Sequence, residues 1–217
     1  MAHLLHIDSS MRSDGSRSRA LSAHYAEAWE TANPDGLVTY RDLAADAIPH
    51  LDYEAFTANF TPAEQRTPHQ REARALAELL AGEVLEADQL VIGMPLYNFG
   101  PPSTLKAWFD RIVVPGLTTG AQGGLLGEKS LTFVAARGGG YGPGTPREGW
   151  DHREPWLLHA FEQLGLTDVR FIHTELTLAR ESPAMIPLDL GAAEDESLAA
   201  AHAEIDASFA SLATVGS

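Results

Sequence analysis

Short apolar segments alternate along this chain with longer segments of helical periodicity, and this alternation limits the possible folds more than any other feature. Five segments have the length and composition of strands, at residues 4–7, 37–41, 88–93, 130–136 and 169–173. Helices are predicted from Ser16 to about Pro34, over 62–86, 103–113 and 154–165, and from Glu194 to about Leu212. This order predicts an α/β protein in which helices cover both faces of a parallel sheet. We expect a single domain over residues 1–217, a three-layer sandwich with strand order 2-1-3-4-5.

Composition excludes several kinds of chemistry. The net charge of −15 argues against nucleic acid as a partner, since phosphate backbones would be repelled. The sequence has no cysteine, so disulfides, thiolate nucleophiles and iron–sulfur clusters are absent. No apolar run approaches the roughly 18 residues that span a bilayer, and the first residues do not resemble a signal peptide. We therefore expect a cytoplasmic protein that does not insert into a membrane.

A polar loop follows the first predicted strand. It contains Ser10, Ser16 and Ser18, and Ser16 is placed to cap the next helix. Hydroxyls beside a helix N-terminus form a ready anion site, and Arg12, Arg17 and Arg19 add positive charge. This loop is a candidate phosphate site, although an ordinary helix cap explains Ser16 equally well.

An aromatic loop follows the third predicted strand. Residues 94–102 read Met-Pro-Leu-Tyr-Asn-Phe-Gly-Pro-Pro, and a helix is predicted to begin at Ser103. In the predicted topology this loop lies at the sheet edge where flat ligands bind. Tyr97 and Phe99 offer rings for packing, and Asn98 offers an amide that both donates and accepts. Core aromatics beside a turn residue are the alternative interpretation.

A glycine-rich loop follows the fourth predicted strand, from Arg137 to Gly144. Its glycines permit close approach of the backbone to a ligand, although a flexible surface loop has the same composition. Neither G-x-G-x-x-G nor a P-loop motif is present, so a dinucleotide fold of that type and P-loop hydrolysis are disfavoured. A helical metal site is also disfavoured, because His152 and His159 are seven residues apart rather than four, and no metal is expected.

With these loops the chain resembles the FMN-dependent NAD(P)H azoreductase and quinone oxidoreductase family of flavodoxin-like proteins. The resemblance rests on the Ser-Ser after the first strand, the Ser16-Arg17-Ser18 stretch, the 95–108 segment and Arg137-Gly138-Gly139. It implies that the FMN phosphate is held by Ser10, Ser16, Arg17 and Ser18. It also implies that residues around the flavin ring come from two loops, namely Pro95, Leu96, Tyr97, Asn98, Phe99, Ala136, Arg137, Gly138 and Gly139.

Two positions depart from the family pattern. Ala136 stands where relatives often have serine, and the sequence Gly100-Pro101-Pro102 makes the aromatic loop stiffer than the common form. The resemblance further implies a ping-pong, two-electron reaction in which NADH or NADPH gives hydride to FMN, and a quinone, azo compound or related aromatic is then reduced. It implies a homodimer with the site at the interface, and residues 53–60 and 116–127 are our candidates for the walls of that pocket.

Two other functions remain open on the sequence alone. One is a dedicated reductase of a single aromatic biosynthetic metabolite, and the other is a flavodoxin-like electron carrier without catalytic turnover. Oxidation of NADH in the presence of a quinone distinguishes the enzymes from the carrier. No side chain is assigned a catalytic role, because the chemistry belongs to the flavin.

Overall fold

A computed structural model describes residues 1–210 of the chain, and its centre is a five-stranded parallel sheet. The sheet strands are β1 (His3–Asp8), β2 (Leu37–Asp42), β3 (Gln89–Pro95), β6 (Ser130–Ala136) and β7 (Asp168–Thr174). Their order in the sheet is β2-β1-β3-β6-β7, which confirms the predicted 2-1-3-4-5 arrangement. A short antiparallel hairpin, β4 (Thr119–Gly120) and β5 (Gly123–Gly124), lies outside this sheet.

Among residues 1–210, six α-helices complete the three layers. They are α1 (Arg17–Ala32), α2 (Tyr53–Ala58), α3 (Pro68–Glu86), α4 (Ser103–Ile112), α5 (Arg153–Gln163) and α6 (Gly191–Ala210). One apolar cluster lies between the sheet and α3, α4 and α5, and it includes the fully buried Trp108 and Phe133. A second cluster lies under α1 and α6, around Trp29 and Ile205. Strands β1, β3 and β6 are therefore covered on both faces, and almost all of their residues are buried.

Several predicted boundaries differ from the observed ones for local reasons. The segment expected to be irregular from Asp42 to Pro62 contains α2, whose first turn is capped by the carboxylate of Asp52. Helix α3 begins at Pro68 rather than at residue 62, because Thr67 and Gln70 form a reciprocal capping box. The last helix begins at Gly191 rather than at Glu194, and its predicted end at Leu212 lies outside the described residues.

The topology brings the carboxyl ends of β1, β3 and β6 to one edge of the sheet. The three loops predicted to form a site follow these strands directly. Within residues 1–210, no helix is both long enough and apolar enough to cross a membrane.

Candidate cofactor-binding site

The loop between β1 and α1 forms the polar end of a cleft. Ser16 is the N-cap of α1, and its hydroxyl accepts from the N–H of Arg19 at 3.4 Å. The Ser16 and Ser18 hydroxyls are 3.3 Å apart, and Ser10 lies opposite them on the same cleft. Because the first N–H groups of a helix have no partner within it, this end of the cleft suits an anion.

The three arginines of this loop have different surroundings. Arg12 and Arg17 line the cleft, where Arg12 binds Glu181 at 2.9 Å and Arg17 binds Glu194 at 3.0 Å. Arg19 turns away from the cleft, so the expectation that it adds charge to the site is not supported by its geometry. Its guanidinium donates twice to Asp42, at 2.7 Å each, and once to the Ser10 carbonyl.

Arg19 thereby anchors the start of the polar loop to the neighbouring strand. Its hydrogen bonds hold the pKa of Asp42 at about 2. Beneath it, buried Asp8 accepts from Ser22 at 2.7 Å and from Tyr40 at 2.9 Å. Burial and the Asp8 charge raise the pKa of Tyr40 to about 12, so that hydroxyl remains a donor. This network fixes the backbone from which Ser10 projects.

The aromatic loop is a tight turn with two left-handed residues. Tyr97 and Gly100 exchange backbone hydrogen bonds of 3.1 and 3.0 Å, and the central residues Asn98 and Phe99 have φ of 48° and 66°. Positive φ at both central positions is the pattern of a type I′ turn, which asparagine tolerates and phenylalanine does not. Such strain persists only where the surroundings hold the backbone in place.

Two contacts hold this turn from the segment before α5. The Phe99 carbonyl accepts from the N–H of His152 at 3.0 Å, and the Phe99 ring packs edge-on against Trp150 with centroids 5.6 Å apart. On the cleft side, the Tyr97 hydroxyl lies 3.3 Å from the Ser10 hydroxyl. Tyr97 thus joins the aromatic loop to the polar end of the cleft, and Asn98 and Phe99 lie outside the cleft lining.

The glycine-rich loop presents backbone to the cleft. Gly138 lines it, and among the described residues the N–H groups of Gly138 and Gly139 donate to no protein group. Ala136 also lines the cleft, and its carbonyl accepts from the Leu96 N–H at 2.8 Å. Although Ala136 lacks the hydroxyl of the serine common in relatives, its backbone is therefore hydrogen-bonded to the aromatic loop.

Arg137 does not line the cleft, although sequence reasoning placed it beside the flavin ring. Its guanidinium is buried and binds three carboxylates, at 2.8 Å to Asp151, at 3.0 Å to Glu175 and also to Glu154. Burial alone would lower the pKa of Arg137, but Asp151 and the other carboxylates raise it on balance. Arg137 therefore has a structural role, because it links three carboxylates beside the glycine-rich loop.

Sequence reasoning missed Arg153, which completes this buried cluster. Its side chain is fully buried, binds Asp151 at 2.7 Å, and donates to the carbonyls of Met94 and Ala136 at 3.2 and 3.3 Å. Burial alone would raise the pKa of Asp151, but Arg153 and Arg137 lower it on balance. Arg153 therefore pins the carboxyl ends of β3 and β6, the strands that carry two walls of the cleft.

One cleft brings together nine of the thirteen residues predicted for the site. They are Ser10, Ser16, Arg17, Ser18, Pro95, Leu96, Tyr97, Ala136 and Gly138. Asn98, Phe99, Arg137 and Gly139 lie outside its lining. Arg12, predicted to add positive charge to the polar loop, also lines the cleft, and three further residues line it that were not predicted, namely Gly15, Thr177 and Leu178. The arrangement fits FMN, because hydroxyls and helix N–H groups lie at one end, and the other end has an apolar strip beside the Gly138 N–H, which has no acceptor among the described residues.

The sheet order and the cleft at its carboxyl edge define a flavodoxin-like protein, and the model of the flavodoxin-like fold family matches residues 2–204. A relative from Frankia alni is 48% identical over 188 residues, covering 85% of this chain and 89% of the relative. A relative from Streptomyces avermitilis is 43% identical and covers 87% of both chains. Both carry the name FMN-dependent NADH:quinone oxidoreductase. The chain belongs to this family of oxidoreductases.

Solved structures agree with the fold. An azoreductase from Bacillus anthracis superposes with a TM-score of 0.82 at 22% identity, covering 96% of this chain and 99% of that chain. An FMN-dependent NADH-azoreductase from the same species, solved in complex with FMN, gives a TM-score of 0.80 at 22% identity, with 98% and 99% coverage. At this identity the likeness concerns the fold.

Proposed function

We propose that this protein is an FMN-dependent oxidoreductase that takes hydride from NADH and reduces quinones, azo compounds or related aromatics in a ping-pong, two-electron reaction. One observation carries the proposal: an anion-binding helix start and an apolar strip form one cleft in a chain 48% identical to an FMN-dependent NADH:quinone oxidoreductase. FMN, when bound, supplies the electron transfer, and the protein supplies binding, orientation and electrostatics.

The polar end of the cleft would hold the phosphate. Ser10, Ser16 and Ser18 offer hydroxyls, and the N–H groups of the first turn of α1 add donors and the positive end of the helix dipole. Arg12 and Arg17 are close enough to the cleft to line it, with their charges partly balanced by Glu181 and Glu194.

The other end would hold the flavin ring. Pro95, Leu96 and Tyr97 would provide the apolar contact, and the N–H group of Gly138 would stabilise negative charge on the ring. The family name favours NADH as the donor, and NADPH is the alternative. The proposal includes a cytoplasmic location and no nucleic-acid partner.

A homodimer is a further part of the proposal. Tyr53, Phe56 and Phe60 are 80%, 50% and 65% exposed, and the Phe56 and Phe60 rings pack against each other. Contiguous exposed aromatics of this kind mark interaction surfaces. The hairpin β4–β5 remains our second candidate for a wall contributed across the interface. Sedimentation of the wild type and of Phe56→Asp tests this: a dimer that dissociates in the variant is expected, and a wild-type monomer would refute it.

Flavin binding is the first test. Wild-type protein should quench the fluorescence of added FMN, and riboflavin, which lacks the phosphate, should bind more weakly. Ser18→Ala should raise the Kd for FMN about tenfold because a hydrogen bond to a charged group is lost, with the Kd for riboflavin unchanged. Ser208→Ala, which removes a hydroxyl on α6 away from the cleft, is the control. A wild type that binds no FMN would refute the function.

Turnover is the second test. Steady-state rates with NADH and NADPH should be measured against a quinone, an azo dye and a nitroaromatic. We expect parallel double-reciprocal plots, as a ping-pong cycle requires. A protein that binds FMN but oxidises neither dinucleotide in the presence of any acceptor is an electron carrier, and that outcome would contradict the proposal.

A further inference from the structure

The segment after β7 forms one side of the cleft, although no motif in it resembles a cofactor site. Thr177 and Leu178 line the same cleft as Ser10, Ser16 and Tyr97. They come from a part of the chain that is distant in sequence from the loops discussed above. We call residues 176–181 the strap.

The strap is tied to the glycine-rich loop by its backbone. The N–H groups of Leu176, Thr177 and Leu178 donate to the carbonyls of Gly139, Arg137 and Gly138, at 3.3, 3.1 and 3.2 Å respectively. The Thr177 hydroxyl also donates to the Arg137 carbonyl at 3.2 Å. These bonds use the carbonyls of the glycine-rich loop, and the Gly138 N–H, which has no protein acceptor among the described residues, lies in the cleft lining.

Strain and burial fix the conformation of the strap. Leu176 has a φ of 59°, a left-handed conformation that is unfavourable for leucine. The chain then turns tightly, with the Ala179 N–H donating to the Leu176 carbonyl at 2.8 Å and the Ala179 side chain buried. At its far end Glu181 binds Arg12 of the polar loop at 2.9 Å. The strap thus connects two walls of the cleft.

Leu178 is the apolar group that this arrangement directs at the cleft. Its side chain is 38% exposed, and its Cδ1 lies 2.7 Å from the position that a Cβ on residue 138 would occupy. Leu178 therefore covers the bare backbone of Gly138, and a larger residue at 138 would displace it. An exposed leucine held over a ligand cleft by a strained backbone has no role in the core.

We propose that Leu178 is a cofactor-contacting residue, whose side chain covers the non-phosphate part of the bound flavin nucleotide and slows its release. The inference rests on the proposed function, because it takes FMN as the ligand of the cleft. Its contact with the cofactor is apolar, so Leu178 acts on the ring or the ribityl chain and not on the phosphate.

Flavin titrations test the proposal. Protein stripped of bound flavin is titrated with FMN and with riboflavin, following fluorescence quenching, and FMN release is followed by stopped flow. Leu178→Ala should raise both Kd values about tenfold by the same factor, and the increase should appear as faster release. Leu178→Met, which retains the apolar cover, should stay within about threefold of wild type. Leu188→Ala, which truncates a 61%-exposed leucine of the same connection outside the cleft, should have no effect.

The outcomes separate this proposal from the function on which it rests. If wild type binds FMN and Leu178→Ala binds both flavins within twofold of wild type, Leu178 does not contact the cofactor. If Leu178→Ala weakens FMN alone, the strap acts through Arg12 and the phosphate, and the proposal is wrong. If Leu178→Ala unfolds, Leu178→Asn and Leu178→Met still distinguish a polar from an apolar cover. If wild type binds neither flavin, the proposed function itself fails.

Discussion

Ion pairs surround the cleft on two sides, and the two sets differ in burial rather than in chemistry. On the outer side Arg12 and Glu181 pair with side chains 45% and 52% exposed. On the inner side Arg153 and Asp151 pair with side chains 0% and 8% exposed. An exposed pair contributes little free energy, whereas a buried charge that loses its partner is strongly destabilising. The inner set therefore fixes the fold of the site, and the outer set leaves its arginines available to a ligand.

The contacts of each set agree with this difference. Arg153 reaches the carbonyls of Met94 and Ala136, and His152 beside it holds the Phe99 carbonyl, so the inner side positions backbone. Arg12 binds exposed Glu181 on the strap, and Arg17, itself 42% exposed, binds the buried carboxylate of Glu194 on α6, so both arginines of the outer side remain partly exposed. The buried contacts of Arg153 thus hold the backbone at the end of the cleft proposed for the ring, whereas the exposed contact of Arg12 leaves the end proposed for the phosphate more adaptable.

The largest effect is expected at Asp151. Asp151→Asn keeps the shape of the side chain but leaves buried Arg153 without its carboxylate and Arg137 with two of its three. We expect a loss of about 3 kcal/mol in the free energy of unfolding. Urea denaturation measures it, and a loss below about 1 kcal/mol would show that the inner cluster is no more important than a surface pair.

A smaller effect is expected from pH on the inner side. Burial, reinforced by Arg137 and Arg153, lowers the pKa of His173 to about 4. The folded protein thus holds this histidine neutral, whereas the unfolded chain binds a proton below about pH 6.5. Stability from this residue is present above pH 6.5 and is lost as the pH falls toward 4.

The His173 contribution is isolated by comparing variants. Because a third of the side chain is exposed, we expect wild type to lose only about 1 kcal/mol more than His173→Phe between pH 7.5 and pH 5. Urea denaturation at both pH values measures the difference. At His69 the sign is reversed, because its hydrogen bond to exposed Asp52 raises the pKa of His69. Wild type should therefore gain stability relative to His69→Asn as the pH falls from 7.5 to 5. Equal pH slopes in wild type and His173→Phe would contradict the assignment.

Substitutions at Asn98 test whether the conformation of the aromatic loop is determined by the contacts of the inner side or by the turn residue itself. Asn98→Ala removes the polar side chain that allows asparagine to adopt a left-handed conformation and should cost about 1 kcal/mol in unfolding free energy, whereas Asn98→Gly should not. We also expect Asn98→Ala to weaken FMN retention or slow flavin reduction. If Asn98→Gly binds FMN as wild type does, the turn geometry matters; if both variants bind weakly, the amide matters.

Much of the fold was predictable from the sequence, because strand order follows from apolar segments that alternate with helices. Convergence of the three loops then follows from topology. The directions of long side chains were not predictable, because they depend on carboxylates far along the chain. Arg137 turns inward to Asp151 and Glu175, and Arg19 turns to Asp42. The strap was missed for the related reason that its position depends on hydrogen bonds to another loop rather than on a motif.

The smallest effect is expected on the outer side, at Glu181. Glu181→Gln removes the exposed partner of Arg12, and the pKa of Glu181 is lowered by that same arginine. Since solvent already screens both charges, we expect the free energy of unfolding to change by less than about 0.5 kcal/mol. The measurement is the same urea denaturation, made at low and at 0.5 M salt to remove the remaining attraction. A loss comparable to that of Asp151→Asn would abolish the distinction between the two sides, and the strap would then be part of the rigid frame of the site.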